Sequence, residues 1–72
     1  ADIIGRTYAI TATATTIRVE TGRHVVVGTE PAVIADAATR ALDLDPIAAR
    51  LLLTAIRTTV DAAHRRSIAR AA

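Results

Sequence analysis

The chain contains no cysteine. A disulfide framework, a thiol nucleophile and a Cys-based metal or iron–sulfur site are therefore excluded. Phe, Trp and Met are also missing, and Tyr8 is the single aromatic residue. Stacking of unpaired bases on aromatic side chains has almost nothing to draw on. There is no Lys, Asn or Gln, so the basic charge is carried by Arg. The three glycines are scattered and form no phosphate-cradling loop. No stretch reaches the roughly 18 uninterrupted apolar residues of a membrane span. The most apolar run, Pro46 to Ile56, is broken by Arg50. No charged segment leads into an apolar one as in a signal peptide, so a cytoplasmic location is expected.

What is present is short and aliphatic. With 72 residues, the expectation is one small domain over residues 1–72. A chain of this size buries only about 60% of the surface its unfolded form exposes. Eight Ile, six Val, five Leu and seventeen Ala must supply the core. A small fold without disulfides or metal often needs a partner chain. With 51% hydrophobic and 22% charged residues, the composition is not that of a disordered chain. Nine basic and seven acidic residues leave a net charge of +2, a weak field for attracting nucleic acid.

The first half of the chain reads as strand. Tyr8, Ile10, Ala12 and Ala14 share one face, and Thr7, Thr11, Thr13 and Thr15 the other. Ile17 and Val19 are odd-numbered, so the apolar phase switches near Thr15–Thr16, and a β-bulge or bend must absorb the slip. Thr21-Gly22 reads as a two-residue hairpin turn. It places Glu20 opposite Arg23, Val19 opposite His24, Arg18 opposite Val25 and Ile17 opposite Val26. The apolar run Val25–Val27 points to a central rather than an edge strand.

The second half reads as two helices. Thr29 is positioned to cap a helix that starts at Glu30-Pro31 and runs to about Leu42, with Asp36 and Arg40 as an i,i+4 pair. Asp45 caps the next helix, with Pro46 at its first position and an end near Ala69. Ala48, Leu52, Ala55, Ile56, Thr59, Val60 and Ala63 lie on one face of that helix. Arg50, Thr54, Arg57, Asp61, His64 and Arg65 lie on the other. Leu51 and Leu53 widen the apolar arc. Arg66 and Arg70 fall on its continuation, so the helix is expected to leave the core after Ala63.

Chemistry-bearing groups are sparse. No catalytic constellation, metal-ligand spacing or cofactor motif is apparent. His24 and Tyr8 are the candidates for a pocket, with His24 as a base or ligand at a subunit interface. His64 and Asp61, at i,i+3, could form a carboxylate–imidazole pair on the last helix. Arg50, Arg57, Arg65, Arg66 and Arg70 are the candidate nucleic-acid contacts, although that helix begins too apolar to be a recognition helix.

Apolar surplus is the most informative feature. A Val strand apolar on both sides and a wide Leu/Ile/Ala helix argue for homo-oligomerisation, with a dimer favoured. Leu52, Ile56 and Val60 on the helix and Val25 and Val27 on the sheet are the expected interface. On that expectation Leu52→Asp dissolves the assembly.

One stretch is similar to a known family. Arg23-His24-Val25-Val26-Val27-Gly28-Thr29-Glu30-Pro31 resembles the strand that ends in an acidic-Pro step in the OsmC/Ohr-type family. Asp45-Pro46 followed by Leu51-Leu52-Leu53-Thr54-Ala55-Ile56 resembles the start of that family's long central helix. The resemblance covers about half of the chain. It implies an intertwined α+β homodimer with a buried helix. The family's peroxidase chemistry needs a Cys just after the Leu-rich segment, where this chain has Thr58 and Thr59, so that activity does not carry over.

The expected fold is α+β. An N-terminal antiparallel β-hairpin or three-stranded meander is followed by two helices, the last one long. The expected function is a non-enzymatic, homo-oligomeric interaction module. Two alternatives remain: an Arg-dependent nucleic-acid binder, and a small enzyme or ligand-binding protein with a subunit-interface pocket around His24.

Overall fold

A computed structural model describes the backbone of residues 1–71 and the side chains of residues 1–69. Five strands precede two helices: β1 (Asp2–Ile3), β2 (Arg6–Thr7), β3 (Ala9–Ala12), β4 (Ile17–Thr21), β5 (His24–Gly28), α1 (Pro31–Leu42) and α2 (Pro46–Ala71). β1 and β2 form a two-stranded antiparallel sheet, and β3-β4-β5 an antiparallel meander in sequence order. The fold is α+β, with the long helix last.

Period-two alternation sorts the meander into two faces. Ile10, Ala12, Ile17, Val19, Thr21, Val26 and Gly28 turn inward and are buried or half-buried. Ala9, Thr11, Arg18, Glu20, Val25 and Val27 turn outward and are exposed. Both helices lie on the inner face, α1 against β5 and α2 against β3. Ile3, Tyr8, Ile17, Val19, Ile34, Ala35, Ala38, Ala48, Leu52 and Ile56 make the buried core between them.

The phase switch between Ala14 and Ile17 is a chain reversal, not a bulge within one strand. β3 stops at Ala12, and Thr13 to Thr16 form the loop that leads into β4. The Thr13 N–H donates to the Thr16 carbonyl at 2.8 Å, and the Thr16 N–H donates to the Thr13 hydroxyl at 3.0 Å. A Thr hydroxyl can close a turn this way without Gly, Pro, Asn or Asp.

The next hairpin turns one residue later than its sequence indicates. Gly22 and Arg23 are the central pair, and Gly22 holds φ at 55°. Glycine at the first central position, followed by a residue with negative φ, is the pattern of a type II′ turn. The register is therefore Thr21↔His24, Glu20↔Val25, Val19↔Val26, Arg18↔Val27 and Ile17↔Gly28. Each partner is displaced by two residues from expectation, an even slip that keeps every side chain on its own face. Glu20 consequently pairs with Arg18 at 3.3 Å rather than with Arg23. That pair is about half exposed and contributes little. β5 lies at an edge and β4 is central, which corrects the central placement expected for Val25–Val27.

Helix boundaries follow local chemistry closely. Glu30, not Thr29, is the residue at the N-cap of α1, and it makes no side-chain capping bond. Pro31 follows at the first helical position. Asp36 and Arg40 pair at 3.1 Å on the exposed face. Asp43 ends α1 in the left-handed region, φ 52°, with its N–H bonded to the Thr39 carbonyl. Asp45 caps α2 as its sequence indicates, its carboxylate accepting from the Ala48 N–H at 2.7 Å. Such a cap contributes about 1 kcal/mol. A Cβ on Gly28 would lie 3.2 Å from Ile34 Cγ1, so the missing side chain there lets α1 settle onto β5.

The leading residues also form structure. Ile3 and Arg6 close a hairpin whose two central residues, Ile4 and Gly5, both have positive φ, 48° and 77°. That is the sign pattern of a type I′ turn, which favours Asn-Gly. Ile4 is β-branched and 62% exposed. It occupies a backbone region that costs an L-residue about 1–2 kcal/mol and buries little in return. Ile4→Asn is therefore expected to stabilise the chain by about 1 kcal/mol, raising Tm by about 4–8 °C. A thermal melt with unchanged or lower Tm would show that position 4 is not held in the left-handed conformation.

With 26 residues, α2 is about 39 Å long and sets the long axis of a molecule measuring 42 × 19 × 18 Å. Ala48, Leu52 and Ile56 are buried, and Val60 and Ala63 half-buried. Every residue from His64 to Ala69 is exposed, so the helix leaves the core where its apolar face ends. Among the described residues no helix is long and apolar enough to cross a membrane.

Candidate interaction surface

The residues expected at an interface divide into two groups. Leu52 and Ile56 have no exposed surface and belong to the chain's own core. Val60 is half-buried against that core. Val25 and Val27 stand on the outer sheet face, 49% and 59% exposed. They sit across from Glu20 and Arg18, so the ion pair of β4 flanks a two-valine patch on β5.

The outer surface carries further large aliphatics. Ile4, Val33, Ile47, Leu51 and Ile68 are each about half exposed or more. Ile47 and Leu51, one turn apart, form an apolar ridge on the flank of α2. In the sequence Leu51 widens the apolar arc of the helix. Ile47 and Val33 gave no such signal, because where a helix face turns from core to water depends on what packs beside it.

His24 and Tyr8 do not line a common pocket. Tyr8 is buried at the junction of β2 and β3 and borders a shallow depression of about 190 Å³ between the β1–β2 turn and the α1–α2 link. His24 is exposed beside the β4–β5 turn, on an open depression of about 540 Å³ shared with Arg6, Thr7, Thr21 and Arg23. None of the residues lining that depression is a carboxylate, so nothing there orients the imidazole as a base. His64 and Asp61 are exposed on the outer part of α2. Among the described residues no group of three or more His, Asp or Glu could hold a metal ion.

Arg50, Arg57, Arg65 and Arg66 are all exposed on α2, and the side chain of Arg70 lies outside the described residues. Arg50, Arg57 and Arg65 share the polar face of the helix, and Arg66 stands off it. Arg57 and Arg66 are nine residues apart, which at about 100° per residue puts them on opposite sides of the helix. Arg66 borders a depression of about 390 Å³ with Thr13, Ala14 and Ser67. Asp61 lies between Arg57 and Arg65 in angle and dilutes the basic charge there.

Comparison of the chain with protein-family models, curated proteins and solved structures finds no significant match.

Proposed function

We propose that this chain is a non-enzymatic, homo-oligomeric interaction module that works in the cytoplasm. One observation carries the reading. Seven of the nineteen Ile, Val and Leu residues are exposed, although the chain has few large side chains with which to build a core. Exposed aliphatics that cluster, as Val25 with Val27 and Ile47 with Leu51 do, mark association surfaces more often than single exposed residues do. The resemblance to the OsmC/Ohr-type family points the same way, toward a homodimer. The lack of a carboxylate among the residues lining the His24 depression, and the Asp61 charge between Arg57 and Arg65, leave the enzyme and nucleic-acid readings with less support. Light scattering at two protein concentrations tests the proposal. A mass of twice 7.5 kDa or more is the expected result. A mass of one chain at both concentrations would overturn it, and a titration with mixed-sequence duplex at low salt would then be the next measurement.

A further inference from the structure

β5 presents a free edge. β4 occupies one side of β5, and among the described residues no strand pairs with the other. In a hairpin with two central residues, the closing pair exchanges both backbone hydrogen bonds. Thr21↔His24 is that pair, so His24, Val26 and Gly28 direct their backbone groups to β4. By alternation, Val25 and Val27 direct their N–H and C=O groups out of the sheet edge. The same two residues carry the exposed valine patch. β5 has no Pro, and its Val25–Val27 centre carries no charge, so two of the features that normally protect an edge strand are absent.

Charge selects the occupant and its direction. Arg23 precedes β5, and Glu30 follows it by two residues. Both are exposed, and neither forms an ion pair among the described residues. Parallel pairing of two β5 strands would set Arg23 against Arg23 and Glu30 against Glu30. Antiparallel pairing reverses this and brings Arg23 of one copy beside Glu30 of the other, twice over, by the two-fold symmetry of an isologous contact.

Resting on the homo-oligomeric reading above, we propose that two copies of the chain pair antiparallel through β5, centred on Val26, into one six-stranded sheet. Val25 of one copy then lies opposite Val27 of the other, and their outward backbone groups meet. Four valines form a continuous outer stripe, and all four helices stand on the other face. The outward backbone groups of Val25 and Val27 supply the hydrogen bonds and fix the register, and the attraction between the Arg23 end of one strand and the Glu30 end of the other fixes the direction.

Charge exchange tests this. The dissociation constant would be measured by sedimentation or light scattering for the parent chain, Arg23→Glu, Glu30→Arg and the double variant. Far-UV circular dichroism would monitor the fold. Each single exchange is expected to weaken the dimer about tenfold or more, because it sets like charges together twice. The double exchange is expected to restore it. Arg23 sits at an exposed turn, so Arg23→Glu leaves the fold intact and stands as the cleaner single variant. A dimer indifferent to both exchanges, or not restored by the double variant, overturns the β5 pairing. If Leu51→Asp alone then abolishes that dimer, the homo-oligomeric reading survives and the contact lies on α2. A parent chain that is monomeric throughout overturns both.

Discussion

Leu52→Ala is expected to cost about 2–5 kcal/mol of stability. Leu52 has no exposed surface and lies on the inner face of α2, within the core cluster that includes Val19, Ile34 and Ile56. Shortening its isobutyl side chain to methyl leaves a cavity that a close-packed aliphatic core cannot fill, and Ala48, Ala35 and Ala38 are too small to move in. At roughly 0.05–0.15 kcal/mol per residue, a 72-residue chain has about 4–11 kcal/mol in total. The variant should therefore melt at least about 10 °C lower and can approach its midpoint at room temperature. Urea or thermal unfolding followed at 222 nm measures it, and a loss below about 1 kcal/mol would mean that α2 does not pack on the meander through Leu52. The same burial changes the meaning of Leu52→Asp. A charge placed there unfolds the chain itself, so any change of mass would report loss of fold and not loss of an interface. Leu51 and the Arg23–Glu30 pair are the positions that probe association without entering the core.

Tyr8→Ala is expected to be as damaging, by about 3–5 kcal/mol. Tyr8 is the largest buried side chain and is 1% exposed. It also stands where the two sheets join. Its N–H donates to the Ala1 carbonyl at 2.8 Å, and the buried Thr21 hydroxyl donates to the neighbouring Thr7 carbonyl at 2.8 Å. Loss of the ring removes the body against which the β1–β2 hairpin rests, and the short hairpin has little else to hold it. Because Tyr8 is the only aromatic residue, the near-UV dichroism of the parent chain reports this one site. That signal should vanish in the same transition as the helical signal. A Tyr8 signal lost well before the helices melt would separate the hairpin junction from the core and argue against a single cooperative unit.

The β5 pairing and the two core substitutions rest on different parts of the molecule. Core variants lower stability at any protein concentration. Edge variants should change mass and concentration dependence while leaving the fold in place. Measuring both sets together separates what holds one chain together from what joins two.

Some of this architecture was open to reading from local sequence. Asp45-Pro46 marks the start of α2 because a carboxylate cap and a proline at the first position act within one turn. Alternation from Tyr8 to Ala12 and from Ile17 to Thr21 shows which side chains face inward, because the pleat enforces it whatever packs above. The exit of α2 from the core after Ala63 follows from where its apolar stripe stops.

Other features needed the folded chain. The loop at Thr13–Thr16 carries no Gly, Pro, Asn or Asp and is closed by a Thr hydroxyl, so composition gives no warning of it. A glycine serves at either central position of a two-residue turn, and only the fit of β5 against β4 selected the first. Ile4 adopts a backbone conformation its own side chain disfavours, and it is held there because Ile3 and Tyr8 are buried on either side of the hairpin. Neither does a run of three valines say whether its strand is central. β5 is at the edge because the strands pair in sequence order and, among the described residues, only α1 and α2 come after it. Local sequence thus set the two helices, the strands of the meander and their inward faces, which depend on forces acting over a few residues. Tertiary structure alone decided turn register, edge position and the separation of His24 from Tyr8, because each depends on which distant segments meet.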